Sequence, residues 1–222
     1  MNHVSYIKCI MNRVSWIMPP DPRVMKNRGF TLVELIVVVS IIAILVLALG
    51  FSYQGWMGGY KVESQVKQMY VDLMNARARA MQMNRMHFVT ITTTSYTVYE
   101  DMNPAPDGNG TLETASDTQL QAKTLDSGYP ITWIGSNQLD FNTTGLSIAG
   151  YCSTTNTARC AADDECPVGE TCLPKTICSN TDADADYNCM IISRSRISIG
   201  KLTTKITSGG ICGGTPNNCV AK

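Results

Sequence analysis

Gly29-Phe30-Thr31-Leu32-Val33-Glu34 decides the fold, because it runs directly into the apolar segment Leu35–Leu49. From Phe30 to Phe51 there are 22 residues, and Glu34 carries the one formal charge among them. Between Leu35 and Leu49 the one polar side chain is Ser40. About 20 mostly apolar residues are enough for a helix to cross a hydrocarbon core. The run is rich in Val and Ile, which would suit a strand in water, but a lone strand in lipid leaves its backbone unpaired, so the sequence predicts a helix. Two features depart from a plain anchor. A carboxylate stands near the start of the run, where it costs roughly 2.5–3.5 kcal/mol if it reaches the bilayer centre. Directly upstream lies a basic peptide ending in glycine, Met25-Lys26-Asn27-Arg28-Gly29.

Lys26-Asn27-Arg28-Gly29-Phe30-Thr31-Leu32-Val33-Glu34-Leu35 resembles the class III signal of type IV pilins and type II secretion pseudopilins. In that family a prepilin peptidase cuts after the glycine and methylates the new N-terminus. The resemblance implies a cut between Gly29 and Phe30, with Phe30 becoming N-methylphenylalanine. It further implies that the Glu34 carboxylate pairs with the amine of a neighbouring subunit during assembly. The physics is compatible: a carboxylate in lipid needs a cation, and cleavage creates one at Phe30. An ordinary secretory signal cut near Ala48-Leu49-Gly50, or an uncleaved anchor helix, are the alternatives. An ionised residue in the apolar run is unusual for either.

Upstream of Phe30, Lys8, Arg13, Arg23, Lys26 and Arg28 stand against Asp21, a balance of +4 that leaves the rest of this net-neutral chain near −4. Positive charge before an apolar run retains that end in the cytoplasm, so the following domain is exported. The expected organisation is a leader over residues 1–29, a membrane-spanning half-helix over 30–51, an amphipathic half over 52–84 and a β-sheet head over 85–222. The leader is long for the family, and Pro19, Pro20 and Pro22 interrupt it. A start at Met25 would make residues 1–24 a start-site artefact.

Val62, Val66, Met69, Tyr70, Leu73, Ala76 and Ala80 follow steps of three and four, the stripe of an amphipathic helix. Lys61, Glu63, Lys67, Asp72 and Arg79 fall on its other sides. Gly50, Gly55, Gly58 and Gly59 mark a weak point, each costing roughly 1 kcal/mol of helix propensity. After Asn84 come short segments rich in Thr, Val, Ile and Tyr, separated by Gly, Asn, Asp and Pro turns. They read as short strands between turns. The fold class is therefore α+β: a long N-terminal helix, its first half membrane-spanning, packed on a small antiparallel sheet, with a disulfide-rich insertion. Tyr70–Met81 and the strand after it are similar to the GspH/FimT group of minor pseudopilins, a likeness covering most of Gly29–Ala149 and Ile191–Lys205. That likeness implies strands at His87–Ile91 and Tyr96–Glu100, followed by Gln119–Leu125, Ile131–Ile134 and Leu139–Gly145, with Ile191–Ile199 closing the sheet. The group's usual Gly-Arg pair in its last hairpin is here Ser193-Arg194-Ser195-Arg196.

Cys9 lies in the leader; Cys152, Cys160, Cys166, Cys172, Cys178, Cys189, Cys212 and Cys219 follow the helix. An even set on the exported side of a membrane reads as a disulfide framework of four bridges. Residues 150–190 read as a Cys-rich insertion too poor in large apolar side chains to form a core. The favoured single pair is Cys212–Cys219, across a Gly/Pro/Asn turn. Zinc is the disfavoured rival, because the spacing is not that of a knuckle.

Asp107, Asn109, Thr111 and Glu113 alternate oxygen acceptors, as do Asp182, Asp184 and Asp186, and such spacing can hold Ca²⁺. Neither completes a twelve-residue loop, so solvated turns are preferred and no cofactor is expected. Arg194, Arg196, Lys201 and Lys205 form a late basic run that could grip nucleic-acid phosphates if Arg194 and Arg196 share a strand face. Without aromatic interleaving a solvated face is preferred. No nucleophile elbow or phosphate loop appears, and the two histidines are His3 and His87, so an enzyme is not expected.

The resemblance implies a structural subunit, held in a bacterial inner membrane by one pass with a periplasmic head and then packed into a pseudopilus or pilus. Its partners would be the prepilin peptidase, other pilins or pseudopilins and membrane lipid, with no small-molecule substrate. A filament-tip module binding DNA or a surface is the second hypothesis, and an unrelated anchored exoprotein the third.

Overall fold

The computed structural model describes residues 29–105, 108–155, 159–213 and 218–222, with the side chains of 48–55 outside the description. The described residues divide into two compact units between Leu47 and Ala48. Helix α1 is assigned over Leu32–Met83. Thr31 is its N-cap: the Glu34 N–H donates to Thr31 Oγ1 at 3.2 Å and the Leu35 N–H to the Thr31 carbonyl at 3.1 Å. At the other end Asn84 takes a left-handed backbone, φ 53°, and the Arg85 N–H reaches back to the Ala80 carbonyl at 3.2 Å. That is a Schellman stop, for which Asn is the usual substitute for Gly.

In the first unit, every large apolar side chain from Leu32 to Leu47 is exposed, between 46% and 73%. The Ser40 hydroxyl donates to the Ile36 carbonyl at 2.8 Å, so the one polar side chain of the run is satisfied within its own helix. Among the described residues no helix is long and apolar enough to cross a membrane. The described side chains of the run stop at Leu47, sixteen residues into α1, short of the about 20 that a span requires. The membrane-spanning half expected over 30–51 is thus not supported by the described residues, and the side chains of 48–51 lie outside them.

In the second unit, the stripe residues Val62, Val66, Met69, Leu73, Ala76 and Ala80 are all buried, while Tyr70 is half-buried. Asp72 departs from expectation. It is buried at 5% exposure, where it accepts from Tyr96 Oη at 2.5 Å, Gln121 Nε2 at 2.9 Å and Gln68 Nε2 at 3.1 Å. A carboxylate can sit there because three donors replace its water.

Among the described residues thirteen strands follow, and they form three antiparallel sheets rather than the single sheet expected. The strands of the first sheet are β1 (His87–Thr92), β2 (Ser95–Glu100), β3 (Thr118–Thr124), β5 (Gln138–Phe141) and β6 (Ser147–Ile148), in the order β3-β2-β1-β5-β6. The second orders β13-β12-β11-β10-β4, from β4 (Ile131–Trp133), β10 (Lys175–Ser179), β11 (Cys189–Ile192), β12 (Ile197–Leu202) and β13 (Cys219–Ala221). A small sheet orders β8-β7-β9, from β7 (Gly150–Cys152), β8 (Arg159–Cys160) and β9 (Cys172–Leu173). One core unites the helix stripe with Val89, Ile91, Val98 and Leu139 of the first sheet and Ile177, Met190 and Ile192 of the second.

The segment 150–190 is therefore not one insertion. Only 150–173 forms the separate small sheet; β10 is buried at all five positions and belongs to the core. The favoured Cys212–Cys219 pair is also overturned. The bridges are Cys152–Cys166, Cys160–Cys172, Cys178–Cys212 and Cys189–Cys219. Cys212 and Cys219 each reach a core strand because β13 lies beside β12, with Cys219 opposite Leu202. Ile191–Ile199 is likewise not one strand: β11 and β12 are a hairpin, in which the Ser193 N–H donates to the Arg196 carbonyl at 2.8 Å.

Of the described helical glycines, Gly59 serves close approach. A Cβ on Gly59 would stand 2.2 Å from the Asp184 carbonyl oxygen, so the 183–185 backbone can lie on α1 only where side chains are missing. Lys175 on β10 is fully buried, donating to the carbonyls of Ile134 and Ser136. Burial, and then the nearby Arg159 guanidinium, hold its pKa down to about 8. A lysine whose folded pKa lies below its unfolded value of 10.5 takes up a proton on unfolding between those limits, so folding gains stability as pH rises from about 8 to 10.5. Urea unfolding across that window is expected to show stability rising by up to ~1.4 kcal/mol per pH unit, and Lys175→Met to flatten the rise. An unchanged slope in the variant would assign the titration elsewhere.

Candidate functional site

The amino-terminal end of α1 combines three properties. Gly29 and Phe30 precede the helix and are exposed. A Cβ added at Gly29 would meet no atom of the described residues within 4 Å, so nothing among them requires glycine there. Thr31, with Glu34 three residues on, has the spacing of a capping box, a signal present in the sequence that the reading of Thr31 as part of the motif alone passed over. The cap uses the Thr31 hydroxyl and the Glu34 backbone, and leaves the Glu34 carboxylate exposed with no hydrogen bond or ion pair among the described residues. Behind it stands the uncovered apolar run to Leu47. Burial of such side chains is worth roughly 25 cal/mol per Å² of apolar surface, so this surface favours lipid or another apolar surface over water.

The basic run does not stay together. Arg194 and Arg196 lie in the β11–β12 turn and are exposed, rather than side by side on a strand. The turn is fixed from behind. The Ser147 N–H donates to the Arg194 carbonyl and its hydroxyl to the Ser193 carbonyl, both at 2.8 Å, and Arg77 Nη1 on α1 donates to the Ser195 carbonyl at 2.9 Å. A third guanidinium thus joins the pair at this turn, which no local pattern could have revealed. Lys201 instead pairs with Asp184 at 3.1 Å, and Lys205 donates to the Asp182 carbonyl.

The two acidic stretches are occupied by protein donors. Asp107 lies outside the described residues. Asn109 Oδ1 accepts from the Thr111 N–H at 2.8 Å and from its hydroxyl at 2.6 Å, and the Glu113 carboxylate accepts from the side chains of Asn103 and Asn109. The loop is organised by a residue the sequence did not single out, Asp101, which is buried and accepts the N–H groups of Asn109 at 3.1 Å and Gly110 at 2.7 Å. Asp182 accepts from Thr207; Asp184 and Asp186 face Lys201 and Lys222. The Lys201 ammonium holds the Asp184 carboxyl below the ordinary range. Among the described residues, the metal-capable groups close enough to share an ion are the sulfurs of Cys152, Cys160 and Cys166. All three are in disulfides and offer no thiolate.

His87 on β1 is fully buried, its Nδ1 3.3 Å from the Arg85 carbonyl and its Nε2 without a partner among the described residues. Burial lowers its pKa, so it is carried as a neutral ring and stability falls as pH drops below about 6.5. Asp140 is buried against Arg159, which links β5 to β8; burial raises its pKa despite that partner.

Residues 24–50 match the prokaryotic N-terminal methylation motif. The chain thus carries a prepilin-type signal of the kind found in type IV pilins and pseudopilins, which supports a pilin-like substrate of prepilin peptidase. No curated protein and no solved structure matches the chain.

Because the described carboxylates of both acidic stretches already face protein donors, millimolar Ca²⁺ or a chelator is expected to leave the thermal midpoint unchanged within ~1 °C; a rise of several degrees with Ca²⁺ would reveal a cation site.

Proposed function

We propose that this chain is a minor pseudopilin or minor pilin of the GspH/FimT kind, cut between Gly29 and Phe30 and methylated at Phe30. Residues 30–51 insert as a single span into a bacterial inner membrane, with the head on the periplasmic side. The same apolar surface then packs against other subunits as they leave the lipid for a helical fibre. Glu34 takes the amine of a neighbouring subunit as its counter-ion and so sets axial register. The observation that carries this reading is the exposed apolar run of α1, with a carboxylate one turn from its start that has no partner among the described residues, inside a matched methylation motif. Steric indifference at Gly29 supports it too, since a glycine that the fold does not need can answer to a protease. The fibre's role is protein secretion through a type II system, and the subunit takes no cofactor.

A second reading is a filament-tip module for DNA uptake or surface adhesion, favoured by the exposed Arg194 and Arg196 gathered with Arg77 at one braced turn. Salt-sensitive retention on immobilised DNA, lost in Arg194→Ala/Arg196→Ala, is its signature; no retention at low salt removes it.

Two substitutions test the leading reading. Gly29→Val is expected to abolish cleavage in a host with prepilin peptidase, seen as retained leader mass, while the thermal midpoint stays unchanged. Glu34→Ala is expected to be cleaved and inserted but absent from sheared filaments. A mature chain that begins elsewhere than Phe30, or Glu34→Ala in filaments at wild-type level, contradicts the proposal.

A further inference from the structure

β3 is the outer strand of the first sheet, and among the described residues nothing pairs with its far side. Its register sets Lys123 opposite Tyr96, Ala122 opposite Thr97 and Gln121 opposite Val98. The Leu125 N–H turns inward, to the Thr94 carbonyl at 2.8 Å. Alternation in an antiparallel ladder then directs the N–H and C=O of Ala122 and Thr124 outward. The same register places Gln121 and Lys123 on the helix side, level with buried Val98 and Tyr96.

Along that side run two clefts of about 380 and 330 Å³. One wall is the strand edge. The other is α1, through Tyr60, Ser64, Gln68, Asn75, Arg79 and Gln82. This wall extends roughly 33 Å, and β3 roughly 23 Å, so the groove matches a strand of about seven residues. Its lining mixes polar and apolar side chains, and its charge is one-sided, because Asp126 at the second cleft is paired with Lys61 at 3.2 Å. The Asp72 oxygens between the clefts are taken by Gln68, Tyr96 and Gln121. Arg79 and Lys123 have no hydrogen bond or ion pair among the described residues, and the side chains of Ser64, Asn75 and Gln82 are equally unengaged. The available charge is therefore positive.

We propose that β3 accepts an extended acidic segment of a partner polypeptide as an added strand, its carboxylates on the helix side meeting Arg79 and Lys123. The backbone of Ala122 and Thr124 supplies the ladder, and the two cations select the sequence. A second copy of β3 is the poorer occupant: Thr118–Thr124 carries Lys123 and no acid, so it offers no counter-charge.

The test uses the full-length chain in nonionic detergent and two alternating heptapeptides, Glu-Thr-Glu-Thr-Glu-Thr-Glu and its Lys-for-Glu counterpart. The acidic peptide is expected to bind and to slow amide exchange at Ala122 and Thr124, while the basic one does not bind. Ala122→Pro removes an outward N–H without touching the β2 ladder, and is expected to weaken binding at least ~10-fold. Arg79→Glu/Lys123→Glu is expected to exchange the preference for the basic peptide, and decides alone if the proline variant fails to fold. The proposal is overturned if the acidic peptide does not bind, if it binds both variants like the wild type, or if the groove instead mediates a dimer lost in Ala122→Pro and indifferent to the peptide.

Discussion

The head is held together by one stripe of α1, and each strand system is placed by what it covers there. Val62, Val66, Met69, Leu73, Ala76 and Ala80 run from bulky to small along the helix, and both five-stranded sheets contribute to the cluster that closes over Val66–Ala80. Taken at ~1.5–3 kcal/mol for each fully buried large apolar side chain, this is the largest favourable contribution on the helix. Asp72 is tolerated inside it because it is completely hydrogen-bonded, and that network in turn fixes the positions of Tyr96 and Gln121. Burial and the Asp72 carboxylate both raise the Tyr96 pKa, so its hydroxyl remains a donor at any physiological pH.

The apolar run obeys the opposite constraint. Along Leu32–Leu47 the side chains are exposed all round, where a helix of a water-soluble fold would hide one face. Capping and side-chain bonding are complete within the helix itself, through Thr31 and Ser40, so the segment asks its surroundings for apolar contact and for little else. The exception is Glu34.

Periodicity and turn chemistry reveal local features, and they did so here. The helix stripe, the strands from β1 to β5 and the even cysteine set were legible as short-range patterns. What could not be read were facts of long sequence separation. Asp72 lies off the apolar stripe, yet its donors Tyr96 and Gln121 arrive from strands 24 and 49 residues away. Cys212 and Cys219 sit either side of a short Gly-, Pro- and Asn-rich stretch of sequence, but their partners are 34 and 30 residues upstream. Arg194 and Arg196 looked like neighbours on a strand because Ser193–Arg196 carries neither the Gly nor the Asn that marks a tight turn. At the amino-terminal motif the limit differs: the residues that another protein would read are those the fold leaves alone, so the motif was plain in sequence while the structure adds only the Thr31 cap.

The cysteines that face each other in the sheets are not the ones that are joined. Cys178 lies opposite Cys189, and Cys152 opposite Cys172, yet each bonds elsewhere. Along the chain both pairs of bridges interleave, Cys152–Cys166 with Cys160–Cys172 and Cys178–Cys212 with Cys189–Cys219. An oxidant acting in order of chain emergence would link first neighbours, and none of those links is native. The head must therefore pair its strands before its thiols oxidise, or exchange the wrong bridges afterwards by thiol–disulfide exchange.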